Sequence, residues 1–261
     1  MQAIWAIASS TVGEAVRRKV LLVILLIALL LLSIIPALSI LSVRTETSAT
    51  ISTIFFVIRF TSALIAIILT IYMIPNEIER RTIYTILSKP VQRWQFLLGK
   101  YFGAVLSLAM MMAIMTVLAL VMFYFNHRDA GKLADIARQP VLYLVEMSLL
   151  TAIAMFFSTF VAPLVNFFLS VGFWLVGTVL NPLYDSFAQN PQSQPAFKLM
   201  AKFILNVLPN FANYDVKNPI LHPGVIIQNE ASYYIKTVGY GFLYIAVLLI
   251  LGIVIFDRRE V

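Results

Sequence analysis

The sequence predicts an all-α integral membrane fold with six transmembrane helices, and three observations predict it. Of 261 residues, 61% are hydrophobic and only 12% charged, where soluble domains carry about a quarter. Apolar runs of spanning length recur along the chain, and each bilayer crossing needs ~20 such residues. All but two of the charged residues fall between these runs rather than within them. With no internal repeat and no low-complexity linker, residues 1–261 are expected to form a single transmembrane domain.

Residues 1–19 place Ile4, Trp5, Ala8, Val12, Ala15 and Val16 on one helical face, with Gln2, Ser9, Glu14 and Arg17 opposite. That pattern predicts an amphipathic helix lying in the membrane interface. Residues 20–43 are uncharged and form the first span; a polar loop over 44–50 leads to the second, 51–74. The polar stretch 75–100 follows, then the third span, 101–125. A polar connection over 126–138 leads to the fourth span, 140–162, and Pro163 marks a tight turn into the fifth, 164–180. The segment 181–236 is polar but not featureless. Phe197, Met200, Phe203, Ile204, Val207 and Leu208 recur at helical spacing until Pro209, which predicts a short re-entrant or interfacial helix before the sixth span, 237–256.

Within the stretch 75–100, Asn76 is a candidate helix cap, with Glu79 three residues on. Ile78, Thr82, Ile83, Ile86 and Leu87 share one face, while Glu77, Arg80, Arg81 and Ser88 take the other. Glu77 precedes Arg81 by one turn, the favourable order for a charge pair. Pro90 ends the pattern. Trp94, Leu97, Leu98 and Tyr101 then begin a second helix that runs straight into the third span. A short amphipathic helix rigidly joined to both neighbouring spans is expected.

Charge sets orientation and excludes several functions. Ten Lys and Arg residues fall on the side holding both termini and the stretch 75–100, against eight on the other side, four of them in one long loop. The positive-inside rule therefore puts both termini and that stretch in the cytoplasm, and the cell inner (plasma) membrane is the expected location. The net charge of +7 is accounted for by these membrane-face cations, and no soluble basic domain is present to hold nucleic acid. No cysteine is available for a disulfide or a thiolate metal site. The apolar run after the first helix lacks a small-residue cleavage site, so no cleavable signal peptide is predicted. His127 and His222 lack flanking ligands, and Met110, Met111, Met112 and Met115 read as apolar filler, so no metal site is expected. No paired catalytic set and no G-x-x-x-x-G-K-[ST] phosphate loop occurs, so the chain is expected to be neither an enzyme nor a nucleotide binder.

Two charges fall inside predicted spans, Arg59 and Glu146. Arg59 lies about eight residues into the second span and Glu146 about six into the fourth. At 1.5 Å per residue their depths agree within about 3 Å. A pair would spare each from facing lipid alone, whereas separate snorkelling is the alternative. Gly99 and Gly103 form a small-xxx-small pair that suggests helix packing. Asn166, in the fifth span, either lines a pathway or bonds a neighbouring helix.

The run Ile86-Leu87-Ser88-Lys89-Pro90-Val91-Gln92-Arg93-Trp94-Gln95-Phe96-Leu97-Leu98-Gly99-Lys100-Tyr101-Phe102-Gly103 resembles the coupling loop of type-2 ABC transporter (ABC-2) permeases. Six spans, an N-terminal interfacial helix and a basic C-terminal tail extend the resemblance over essentially the whole chain. The resemblance implies a permease subunit of an exporter that works as a dimer with two separate ATPase subunits, ATP and Mg being bound there and not by this chain. It also implies that short helices before the last span cap the pathway from outside. Glu77, Glu79, Arg80, Arg81, Thr82 and Tyr84 would contact and orient on the ATPase, and Pro90 and Arg93 would set the turn into the third span. The family's members serve small-molecule efflux, polysaccharide export and maturation of extracytoplasmic metalloenzymes, and this loop looks most like the branch that includes the last. The residues alone leave a second class open, a non-transporting membrane scaffold or assembly factor that docks a soluble partner through the stretch 75–100.

Overall fold

Long runs of Leu, Ile, Val, Phe and Ala with few helix breakers become long helices, and the chain is all-α over the residues that the computed structural model describes: 2–41, 47–79, 92–127, 130–188, 199, 208–216 and 229–258. In chain order these are α1 (Gln2–Arg17), α2 (Lys19–Leu41), α3 (Thr47–Ile71), α4 (Pro75–Glu79), α5 (Arg93–His127), α6 (Ala130–Ser158), α7 (Pro163–Ala188), a single 3-10 turn (Ala212–Tyr214) and α8 (Glu230–Arg258). Four stretches among the described residues are long and apolar enough to cross a membrane: Ala49–Glu79, Arg93–Phe125, Ile136–Ser158 and Glu230–Arg258. Gln2–Arg17 and Lys19–Ile35 qualify together but are bent by 65°, and Pro163–Val179 is apolar but shorter. The protein is a multi-pass helical membrane protein.

The helices are longer than the apolar runs alone suggest. α6 begins at Ala130, so most of the expected polar connection is already helical, and Pro140 lies inside that helix. Neighbouring helices hold such an interruption in place. Pro163 is the first residue of α7 rather than part of the turn, the position where its missing N–H costs nothing. α8 starts at Glu230, ahead of the expected 237. Asn229 caps it, accepting from the Ser232 N–H at 3.2 Å.

Asn76 does not cap a new helix. Its N–H donates to the Tyr72 carbonyl at 3.1 Å, and the N–H groups of Glu77 and Ile78 both donate to Ile74. The turn 72–74 passes α3 almost directly into α4, and Pro75 occupies the first helical position. The back-reaching half of a capping box lies downstream instead. At the start of α5, the Gln92 carbonyl accepts from the Gln95 and Phe96 N–H groups, while the Gln95 side chain accepts from the Gln92 N–H at 3.2 Å.

α3 and α6 form the centre, with 78% and 72% of their most apolar windows buried; α5 and α8 lie outside them, at 33% and 22%. α6 packs against α3, α5, α7, α8 and the 3-10 turn. Tyr101 on α5 donates to the Ser148 carbonyl of α6 at 3.2 Å. Asn166 on α7 donates to the Ala154 carbonyl at 2.9 Å, so it bonds the neighbouring helix. Met111, Met112 and Met115 are buried in the core and Met110 is exposed, as apolar filler would be.

α1 lies across the start of α5 through small residues. Ala8, Thr11 and Ala15 are buried there, whereas Trp5 and Val16, which share the apolar face in the sequence, remain exposed. Gly99 and Gly103 admit the helix. A Cβ at Gly103 would stand 2.8 Å from the Ala8 carbonyl oxygen and 2.6 Å from the Thr11 Cβ. Replacing Gly103 with Val is expected to lift α1 from α5. Trypsin cleavage after Arg17 and Arg18 in the detergent-solubilised chain should then become fast; cleavage as slow as in the parent chain would show that the close approach is not needed.

A buried arginine cluster and a second cluster at the loop end

α3 is apolar on every side except for a few small hydroxyls and Arg59, so this side chain has no route to water and must find partners within the bundle. The structure brings Arg59 and Glu146 together. Arg59 Nη2 donates to Glu146 Oε1 at 2.6 Å, and Nε donates to Oε2 at 2.9 Å. The parallel donors of a planar guanidinium suit a carboxylate in this two-pronged way. Arg59 Nη1 donates to Asp215 Oδ2 at 2.9 Å, and Nη2 also reaches the Phe211 carbonyl at 3.0 Å. Arg59, Glu146 and Asp215 are 5%, 0% and 2% exposed.

A ring of supporting groups fixes this core. Trp174 Nε1 donates to Glu146 Oε1 at 3.0 Å, and the Tyr143 hydroxyl donates to Asp215 Oδ1. The Arg59 guanidinium lies 5.8 Å from the ring centroids of both Tyr143 and Trp174, within cation–π range. Gln139 Nε2 donates to the Tyr214 carbonyl at 2.6 Å. The segment 209–215 is thereby drawn into the bundle. Gly177 makes room for it, its carbonyl accepting from the Phe211 N–H at 3.0 Å. A Cβ at Gly177 would stand 2.6 Å from the Pro209 carbonyl oxygen. Gly241 on α8 likewise admits Tyr214, whose hydroxyl donates to the Thr237 carbonyl at 3.2 Å.

At the C-terminal end of α3 stands a second charged group. Lys100 Nζ donates to Glu77 Oε1 at 2.6 Å and lies 3.7 Å from Glu14 Oε2. Arg18 Nη2 donates to Glu14 Oε1 at 2.6 Å. One buried lysine on α5 thus ties α4 to α1. Partial burial raises the Glu14 carboxyl pKa, but the Arg18 hydrogen bond and the charges of Lys100 and Arg18 outweigh it, and the net direction is downward. Arg93, the first residue of α5, donates to the Phe256 and Asp257 carbonyls at 3.1 and 3.3 Å. It thereby caps the C-terminal end of α8. Glu79 is exposed at the end of α4, and Arg80, Arg81, Thr82, Tyr84 and Pro90 lie outside the described residues, as does the expected helix over 197–208 apart from residues 199 and 208.

Of the residues the sequence singled out, the structure gathers Arg59 with Glu146, while Glu77 turns inward to Lys100 rather than standing with Glu79. Asp215, Tyr143 and Trp174 were not singled out. Asp215 is one acidic residue in a polar stretch, and nothing in its neighbours sets it apart.

A family model described as ABC-2 family transporter protein matches residues 5–261. The chain belongs to that family. It is a transmembrane permease component of an ABC transporter, and membership implies association with an ABC ATPase. A search of curated proteins gave no match.

Replacing Arg59 with Leu leaves two carboxylates buried without a cation, and the expected loss of stability is about 3–5 kcal/mol. The exchange of Arg59→Glu with Glu146→Arg should recover part of what either single change loses in a denaturant or thermal unfolding series; no recovery would show that the two do not act as a pair. At the other cluster, a carboxyl whose folded value is lowered stabilises fully above the ordinary carboxylate range. That contribution disappears as pH falls through the lowered value. The Tm gap between the parent chain and Glu14→Gln should therefore be constant near neutrality and close as the solution is acidified; a gap independent of pH would mean that the charge of Glu14 is not what holds α1.

Proposed function

We propose that this chain is the transmembrane subunit of an ATP-driven exporter, and that α3 carries the stroke between its two charged clusters. The observation that carries this reading is the continuity of one helix with both clusters. At its loop end α3 runs through a tight turn into α4, where Glu77 is braced on Lys100. Arg59 lies twelve positions before the last residue of α3, roughly 18 Å along the axis at 1.5 Å per residue. There it holds the segment 211–215 against α6 and α7. A displacement of α4 would reach Arg59 without passing through a flexible joint.

In this reading the stretch 75–100 is the cytoplasmic coupling element and both termini are cytoplasmic. Two copies, or this chain with a second permease subunit, would work with two ATPase subunits in the plasma (inner) membrane, and ATP and Mg would be bound by the ATPase. The exposed Glu79 and the following Arg80, Arg81, Thr82 and Tyr84 would meet the ATPase, with Pro90 and Arg93 setting the entry into α5. Glu77 then braces the coupling element instead of contacting the partner. An open cleft of ≈ 650 Å3 beside α4, lined by Ser10, Gly13, Glu14, Arg17, Arg18 and Asn76, would face the partner at this end. The segment 211–215 is then the outer closure of the pathway. Six spans result if α2 and α7 each cross alongside the four longer stretches.

The test is purification of the tagged chain from its native membrane in mild detergent, with identification of the proteins that accompany it. A stoichiometric P-loop ATPase, lost when residues 79–81 are substituted, is the expected result. With that complex reconstituted, Glu77→Ala should leave the ATPase bound and hydrolysis running while transport falls. Recovery of a different soluble protein on the same loop, with no ATPase, would favour the scaffold reading instead.

A further inference from the structure

The elbow between α1 and α2 carries three consecutive cations, Arg17, Arg18 and Lys19. Arg18 is paired with Glu14, whose carboxylate is shared with Lys100, and among the described residues Lys19 has no ion-pair partner. Nothing in the coupling reading uses Lys19. Beside this elbow lies a cavity of ≈ 530 Å3 between α2, α3 and the first turns of α7. Its rim holds Arg18, Lys19 and Tyr72, and its wall is apolar, with Leu21 and Ile71 buried behind and Phe167 and Leu164 closing the α7 side. Cations and a phenol at one edge of an otherwise hydrocarbon-lined recess, at the end of the bundle where the loop 75–100 leaves it, match one kind of molecule. A soluble anion would gain nothing from the apolar wall, and a zwitterionic lipid would set its own ammonium against the cations.

We propose that this recess is a binding site for a single anionic phospholipid, its phosphate held at Lys19 and Arg18 near the Tyr72 hydroxyl and an acyl chain laid along Leu21, Ile71 and Phe167. Basic residues between helices at a membrane face bind anionic headgroups through the same combination of charge and hydrocarbon contact. The site lies at the joint between the helix docked on α5 and the first long apolar helix. A bound lipid would therefore brace the 65° bend by joining α2, α3 and α7.

Native mass spectrometry of the purified full chain tests this. Phosphatidylglycerol and phosphatidylcholine with identical acyl chains are titrated separately, and inorganic phosphate is added as a competitor. The chain should retain one phosphatidylglycerol with a preference on the order of tenfold over phosphatidylcholine. Lys19→Gln should reduce that preference by about fivefold, as the loss of one cation near a lipid headgroup implies. Leu164→Trp, which fills the apolar side and leaves every charge in place, should lower retention of the lipid while the unfolding temperature stays near that of the parent chain. Lys236→Gln, an exposed cation on α8 remote from the recess, should change nothing. Equal retention of the two lipids would overturn the proposal, as would full competition by inorganic phosphate, an unaltered preference in Lys19→Gln, or an equal loss in Lys236→Gln.

Discussion

A guanidinium enclosed in a helical membrane protein is the constraint on which the rest of this structure depends. Arg59 cannot shed its proton, and a charge in hydrocarbon is tolerated only with partners. All three of its nitrogens donate, to Glu146, to Asp215, to the Phe211 carbonyl and, at a longer 3.4 Å, to the Thr178 hydroxyl. Those partners come from α6, α7 and the segment around the 3-10 turn, so satisfying one side chain fixes three other parts of the chain. The small residues follow from the same demand. Asp215 reaches Arg59 only if the segment 209–215 sinks between α7 and α8, and it sinks only where Gly177 and Gly241 leave space for Phe211 and Tyr214.

The loop end repeats this logic with one lysine in place of the arginine. Lys100 is 5% exposed, and it answers Glu77 from α4 and Glu14 from α1. The glycines again precede the charge. Gly99 and Gly103 bring α1 close enough to α5 for Glu14 to reach Lys100, as Gly177 and Gly241 bring Asp215 to Arg59. Arg93 adds a link from the start of α5 to the end of α8. The cluster midway along α3 and the one at the loop end are therefore each built from side chains of several helices, and α3 takes part in the first directly and in the second through the turn into α4.

What the sequence disclosed and what it hid follow from the range of each interaction. Arg59 and Glu146 stood out because a charge in an apolar run is conspicuous, and a rise of 1.5 Å per residue put both at one depth. Asp215 lies 156 residues from Arg59 in sequence and sits among polar neighbours where an aspartate is ordinary. Its role comes only from the close approach of a loop to two glycine-bearing helices. The Gly99 and Gly103 spacing was legible, but its partner was not another span. Ala8 and Ala15 share an apolar face in the sequence with the larger Trp5 and Val16 that the fold leaves outside, and Thr11, a polar residue, falls outside that reading although it is buried with them. Asn before an amphipathic pattern normally begins a helix, and Asn76 fits that rule in the sequence. Here the turn 72–74 carries α3 straight into α4, and the carbonyls of Tyr72 and Ile74 already serve the N–H groups that a cap would satisfy.

A charge cluster is not the most stable way to hold an outer segment against a bundle. Apolar side chains of the same volume would avoid the cost of removing three charges from water, and replacing buried ion pairs with such residues is often neutral or stabilising. A cluster differs in how it responds to displacement. Dispersion contacts weaken gradually and can be exchanged for similar contacts one residue along, whereas the hydrogen bonds of Arg59 have one geometry and no substitute in hydrocarbon. Moving α3 along its axis by one residue, about 1.5 Å, would stretch the 2.6 and 2.9 Å bonds to Glu146 and Asp215 together. The segment 211–215 is then either held or released with little in between. In the proposed exporter, where α3 receives a push at α4 and Arg59 holds the outer closure, that threshold is what keeps the outer face shut until the stroke is complete.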